Sequence, residues 1–125
     1  MKAWRWILCL GLALATDGYA QAGRFKQKLL AADGTTNDEF ASAVDVDGDW
    51  AVLGAPKQAA TTGSVYFFQW DGTNWVQQAE VVPDDTAVGD NFGEAVAISG
   101  DTAIIGATRP ILPNFTGQAY VFTRS

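Results

Sequence analysis

Phe40-Ala-Ser-Ala-Val-Asp-Val-Asp-Gly-Asp-Trp-Ala-Val-Leu-Gly-Ala-Pro56 recurs, without a gap, as Phe92-Gly-Glu-Ala-Val-Ala-Ile-Ser-Gly-Asp-Thr-Ala-Ile-Ile-Gly-Ala-Thr108. Gly48-Asp49 falls on Gly100-Asp101, and Gly54-Ala55 on Gly106-Ala107. Upstream, the same shift carries Asp33 onto Asp85 and Asp38 onto Asp90. Downstream, Gly63-Ser-Val-Tyr-Phe-Phe68 resembles Gly117-Gln-Ala-Tyr-Val-Phe122 after a short slip. The chain is therefore a duplicated unit of about 50 residues, the length range of propeller blades.

Each unit reads as strands. Ala43 to Asp47 and Trp50 to Ala55 are short apolar runs around a Gly, and Gly allows the positive φ that a tight hairpin needs. A polar loop from Lys57 to Thr62 leads to a third strand, Ser64 to Gln69. Asp71-Gly72-Thr73-Asn74 makes another turn, and Trp75 to Val82 is the fourth strand. Four strands joined by turns form an antiparallel meander, the layout of one blade. Ala95-Val-Ala-Ile98 and Ala103-Ile-Ile-Gly-Ala107 are apolar on both faces. Strands of that kind suit a sheet stacked between two others. The expected fold is all-β: two four-stranded antiparallel propeller-type blades, a partial propeller. Repeat 1 covers about residues 33–82 and repeat 2 about 85–125.

The first residues point to export. Lys2 and Arg5 precede the apolar run Ile7 to Ala15, which is too short to span a bilayer, and Ala20-Gln21-Ala22 offers small residues for cleavage. Residues 1–22 read as a secretory signal peptide rather than an anchor, leaving 23–125 as the mature part. Cys9 has the wrong neighbours for a lipid attachment site. The expected destination is secreted or extracytoplasmic, in a periplasm or outside the cell.

Composition excludes several chemistries. There is no histidine, and the single cysteine, Cys9, lies within the signal. The mature chain thus lacks the usual general base, a thiol nucleophile and thiolate metal ligands. The net charge is −6, and two of the eight basic residues sit in the signal, so the rest is more acidic still. An acidic surface without a basic patch argues against nucleic acid and anionic membranes. No span follows the signal. These features predict a protein that is not an enzyme and has no cofactor.

Phe92-Gly93 followed by Gly106-Ala107, and Phe40 followed by Gly54-Ala55-Pro56, resemble the FG-GAP repeat of integrin α chains and bacterial exported proteins. Ala41 and Thr108 each depart from the name-giving letters. The resemblance implies a β-propeller. In the integrin form a longer Asp-rich loop between the first two strands holds calcium. Asp45, Asp47 and Asp49 are the matching candidates here. Leu53 stands where a further carboxylate is wanted, Trp50 where a Gly should open the turn, and the second copy has Ala97, Ser99 and Asp101. The plainer reading is a tight hairpin with its Asp residues solvated or bonded to the turn backbone.

Asp84, Asp85 and Asp90 echo Asp33, Asp38 and Glu39, and their recurrence suggests loop structuring rather than acid–base catalysis. Trp70 and Trp75 are expected to face each other across their turn, and Trp50 is the best candidate for an exposed aromatic. Asn114-Phe115-Thr116 is a formal glycosylation acceptor within Thr108 to Gly117, a proline-containing loop suited to recognition. Trp50, Trp70, Trp75, Asn114 and Phe115 are thus the candidate ligand contacts.

Two functions fit. One is a binding or scaffold module for a protein or glycan. The other is a non-catalytic fragment of a larger exported enzyme or adhesin, with calcium binding disfavoured. Leu29 and Leu30 align with Val81 and Val82, so Lys26–Ala31 reads as a fourth-type strand without its first three. The second blade has no fourth strand. The expectation is that Lys26–Ala31 pairs antiparallel with Gly117–Phe122, within one chain or between chains, and that open blade faces promote self-association.

Overall fold

The computed structural model describes residues 26–109 and 116–125. Residues 1–22, where a signal peptide is expected, and Asn114 and Phe115 lie outside them. Among the described residues seven strands form two antiparallel sheets. The first runs β1 (Ala43–Asp47), β2 (Trp50–Ala55), β3 (Ser64–Trp70) and β4 (Trp75–Val81) in that order. The second runs β5 (Phe92–Ser99), β6 (Thr102–Ala107) and β7 (Gln118–Thr123). Both are meanders, as the duplicated pattern demands.

The hairpins follow from their glycines. Asp47 pairs with Trp50 and Ser99 with Thr102, leaving two-residue loops that begin at Gly48 (φ 58°) and Gly100 (φ 56°). A β-carbon at either would sit on a left-handed backbone. Lys57 to Thr62 coils once, at Gln58–Thr61, with left-handed Ala59 and Ala60 inside.

The sheets stack face to face. Alternation puts Val52, Val65 and Phe67 on the first sheet's inner face, and these meet Ala103, Ile105, Val96, Ile98 and Phe122 of the second. The outer face of the first sheet, with Ala51, Leu53, Tyr66 and Phe68, packs under Phe40, Leu29 and Ala31. Burying a residue the size of Ile105 or Phe92 contributes about 2 kcal/mol each.

Lys26–Ala31 departs from the expected position. It makes no ladder with β7 of its own chain; it lies against the first sheet, where the Gln27 amide donates to the Trp75 carbonyl (2.9 Å) and accepts from the Trp75 N–H (2.8 Å). Leu29 and Ala31 are drawn to the apolar outer face of that sheet, which they cover together with Phe40. Competition for this burial decides the placement, and among the described residues β7 is an edge.

Candidate functional site

Most acidic residues hold the loops. Asn37, Glu39 and Ala41 have φ of 75°, 56° and 67°, and their counterparts Gly89, Asn91 and Gly93 have 92°, 54° and 94°. Alternating left-handed residues coil the backbone around one buried carboxylate per repeat. Asp38 accepts the Thr35 N–H (2.6 Å), and Asp90 accepts the Ala87 N–H (2.8 Å). The Asp90 carboxylate is 1% exposed and sits 2.9 Å from the Arg109 guanidinium. Its carbonyl accepts the Arg109 N–H at 3.1 Å, as that of Asp38 accepts the Lys57 N–H at 3.2 Å. Each such hydrogen bond avoids a penalty of about 1–3 kcal/mol, while Asp90 Oδ1, paired with Arg109 by charge, and Asn91 Oδ1 are buried without a hydrogen-bond partner.

A second pair recurs. The Tyr66 hydroxyl donates to Asp33 at 2.8 Å, and the Tyr120 hydroxyl to Asp85 at 3.1 Å. Gln58 donates to the other Asp33 oxygen at 2.9 Å. The hydrogen bond from Tyr66 is the main cause holding the Asp33 carboxyl below its ordinary value. Burial, then Asp33, pushes the Tyr66 phenol well above its own. The duplicated Asp33/Asp85 and Tyr66/Tyr120 were visible in sequence, but their meeting was not, because loop and third strand lie far apart in the chain.

Asp45 and Asp47 point at the neighbouring sheet. Asp45 accepts the Ile98 N–H at 2.8 Å and Asp47 the Gly100 N–H at 2.6 Å. Both carboxylates thus satisfy the free edge of β5. Asp49 uses its carbonyl to accept the Trp70 N–H at 2.8 Å. Among the described residues no group of three carboxylates converges in the manner of a metal site.

The aromatic candidates gather at the hairpin end. Trp70 and Trp75 are cross-strand partners with ring centroids 5.8 Å apart. Lys26 lies 5.8 Å over the Trp70 ring. Trp50 is half-buried, and the Arg124 guanidinium covers its ring at 4.5 Å. Arg124 also pairs with Asp101. Arg124 went unnoticed in the sequence, since only the packing of one sheet on the other brings it to Trp50.

Between the sheets, beside the open edge of β7, lies a groove of about 240 Å³. Trp50, Phe67, Ala79, Ile98, Ala103 and Phe122 make its apolar walls. Asp101 and Arg124 stand at the rim. A space of this size with apolar walls takes one large side chain or a small ring.

No curated protein matches the chain. The FG-GAP repeat family matches twice, over residues 24–68 and 75–122. The second match begins at β4 and ends in β7, and the first begins in the segment aligned with β4 and ends in β3, so the repeat is out of step with the sheet. The duplicated Phe-loop, the paired meanders and this match over most of the sequence place the chain in the FG-GAP repeat family.

Proposed function

We propose that the chain is an exported, non-catalytic binding module whose ligand is a protein, anchored by an apolar side chain in the inter-sheet groove. The observation that carries the reading is the groove itself: apolar walls, a Trp50 flank and an Arg124–Asp101 rim. A hot-spot pocket has this anatomy. FG-GAP repeats form β-propeller-like modules that commonly bind, and they typically occur in extracellular domains. A protein ligand is favoured over a glycan because Arg124 covers the Trp50 face, and Trp70 is flanked by Trp75 and Lys26. These contacts occupy ring faces on which a sugar would otherwise stack. A non-catalytic role is favoured because the recurrent carboxylates are spent on backbone N–H groups and tyrosine hydroxyls.

The test is display of the full chain's purified product against immobilised peptides and glycans. Peptides with an exposed Leu, Phe or Tyr are expected to bind. Ala79→Trp, at an exposed strand position on the groove wall, fills the groove and is expected to abolish binding. Retention of glycans alone, or peptide binding indifferent to Ala79→Trp, overturns the reading.

A further inference from the structure

Each sheet has two unlike faces, and the joint between the sheets shows how they mate. In the first sheet, Val44, Val46, Ala51 and Leu53 share one face, and Val52, Val65 and Phe67 the other. The repeat shift carries the first set onto Val96, Ile98, Ala103 and Ile105, and the second onto Ile104, Ala119 and Val121. Within the chain, the Val52 face covers the Val96 face. The corresponding outward faces are only partly covered: Phe40, Leu29 and Ala31 close over Ala51 and Leu53, but Val44 and Val46 are 61% and 57% exposed, and Ile104 and Val121 are 50% and 64% exposed. The molecule therefore presents a donor face at one end and the matching acceptor face at the other.

Residues 26–31 and β7 show the same complementarity. The shift from Phe40 to Phe92 carries Gln27 and Leu29 onto Ala79 and Val81 of β4. β4 flanks the second sheet by lining the groove with Ala79 and Val81. Residues 26–31 flank the first sheet likewise, with Leu29 in its outer cluster and Gln27 on the Trp75 backbone. The segment thus occupies the place of a fourth strand, with no first three strands of its own among the described residues. β7 is a third strand with no fourth among the described residues.

We propose that copies of this chain join head to tail, residues 26–31 of one copy forming the fourth strand of the second sheet of the next. The Ile104–Val121 face of one copy meets the Val44–Val46 face of another, and β7 pairs antiparallel with the incoming segment. The pairing of β3 with β4 matches Val65 to Val81, Tyr66 to Glu80 and Phe67 to Ala79. Transposed, it matches Ala119 to Leu29, Tyr120 to Lys28 and Val121 to Gln27. Lys28 stands where β4 has Glu80, and it arrives beside Tyr120 and its partner Asp85. In this acidic chain that places opposite charges together at the new edge. The interface is heterologous, so copies close into a ring or extend as a filament. Ala97 and Ser99 replace Asp45 and Asp47, so this joint lacks two carboxylate bonds to the facing edge and is weaker than the internal one. The association is accordingly concentration-dependent.

The test uses the full chain with Cys9→Ser. One preparation carries Leu29→Cys and the other Ala119→Cys. Mixing them under mild oxidation is expected to give a disulfide-linked heterodimer, since cross-strand neighbours lie within bonding reach. Light scattering of the protein without added cysteines is expected to show assemblies that dissociate on dilution. Ile104→Glu, at a half-exposed position, is expected to abolish both signals while the circular dichroism stays unchanged. Gly106→Ala is expected to do the same, because Gly106 faces the next copy's Ala41 where Gly54 faces Gly93; a β-carbon on Gly93 would stand 2.7 Å from the Ser64 carbonyl oxygen, so the Ala41 methyl already holds this joint wider than the internal one and leaves no room for a second methyl. A monomer at every concentration overturns the proposal, as do assemblies that survive both substitutions. So does a partner strand supplied by a different protein while the chain itself stays monomeric.

Discussion

Gly54 in the first sheet and Gly93 in the second are in backbone contact: a β-carbon on Gly54 would stand 1.9 Å from the Gly93 carbonyl oxygen. No side-chain rearrangement relieves that clash, because both partners are main chain. The two glycines named by the family motif therefore set how closely adjacent blades stack. At the equivalent Gly106, a β-carbon meets only Ala95, at 3.4 Å and beyond.

Gly54→Ala should consequently separate the sheets, with a loss of about 3 kcal/mol or more. Gly106→Ala in dilute protein should cost less than about 1 kcal/mol. Urea unfolding of the two variants side by side measures the difference. Equal losses would show that the contact is not what spaces the blades.

Ala41 occupies the position of Gly93 with φ 67°, a conformation that costs a residue with a β-carbon about 1–2 kcal/mol. Ala41→Gly relieves this but loosens the unfolded chain. The net expectation is a gain of about 0.5–1 kcal/mol, seen as a melting temperature a few degrees higher. A lower melting temperature would mean that the Ala41 methyl group contributes packing that outweighs the strain.

The Tyr66–Asp33 pair makes stability depend on pH at both extremes. Asp33 titrates below its ordinary 3.8 in the folded chain, so the unfolded chain takes up the proton first. Its contribution is present above about pH 4 and is lost as pH falls through the depressed value. Tyr66 titrates above its ordinary 10.0, so the unfolded chain loses the proton first. Its contribution is intact below pH 10.0 and declines as pH rises beyond it. Tyr66→Phe should flatten both limbs of a plot of unfolding free energy against pH; unaltered limbs would assign the dependence to other groups.

Calcium should not bind stoichiometrically at Asp45, Asp47 and Asp49. Asp45 and Asp47 accept β5 N–H groups in the adjacent sheet, and Asp49 lies on the turn between them and Trp50. A hard cation needs several oxygens converging from one loop. Isothermal titration calorimetry at millimolar calcium should give a flat trace. Saturable heat that disappears in Asp47→Ala would reverse this conclusion. By contrast, Asp47→Ala without calcium should lower stability by about 1 kcal/mol by freeing the Gly100 N–H.

The strands were legible because alternation and glycine placement are local. Ala43–Asp47 and Trp50–Ala55 match the sequence reading residue for residue, and β3 and β4 each differ by one residue at one end. The Trp70–Trp75 pairing was legible for the same reason: a short turn fixes which residues face each other. What stayed hidden depends on how one sheet sits on the next. The bonds from Asp45 and Asp47 to β5, the Arg124 cover on Trp50 and the groove all cross that joint. The placement of Lys26–Ala31 was half legible. Its kinship with β4 was in the alignment, but the sheet it lies against is chosen by burial of Leu29 and Ala31.

The offset between repeat and blade bears on how such chains grow in evolution. The second family match runs from β4 to β7, the first from the segment aligned with β4 to β3, and the boundary between the two sheets falls inside the second match. A tandem duplication that copies one whole repeat inserts a leading strand and a trailing three-strand sheet together. The inserted piece mates with its predecessor and its successor by the same surfaces that were already there. Gene length can then change in steps of one repeat without a new joint having to be invented when the number of blades changes.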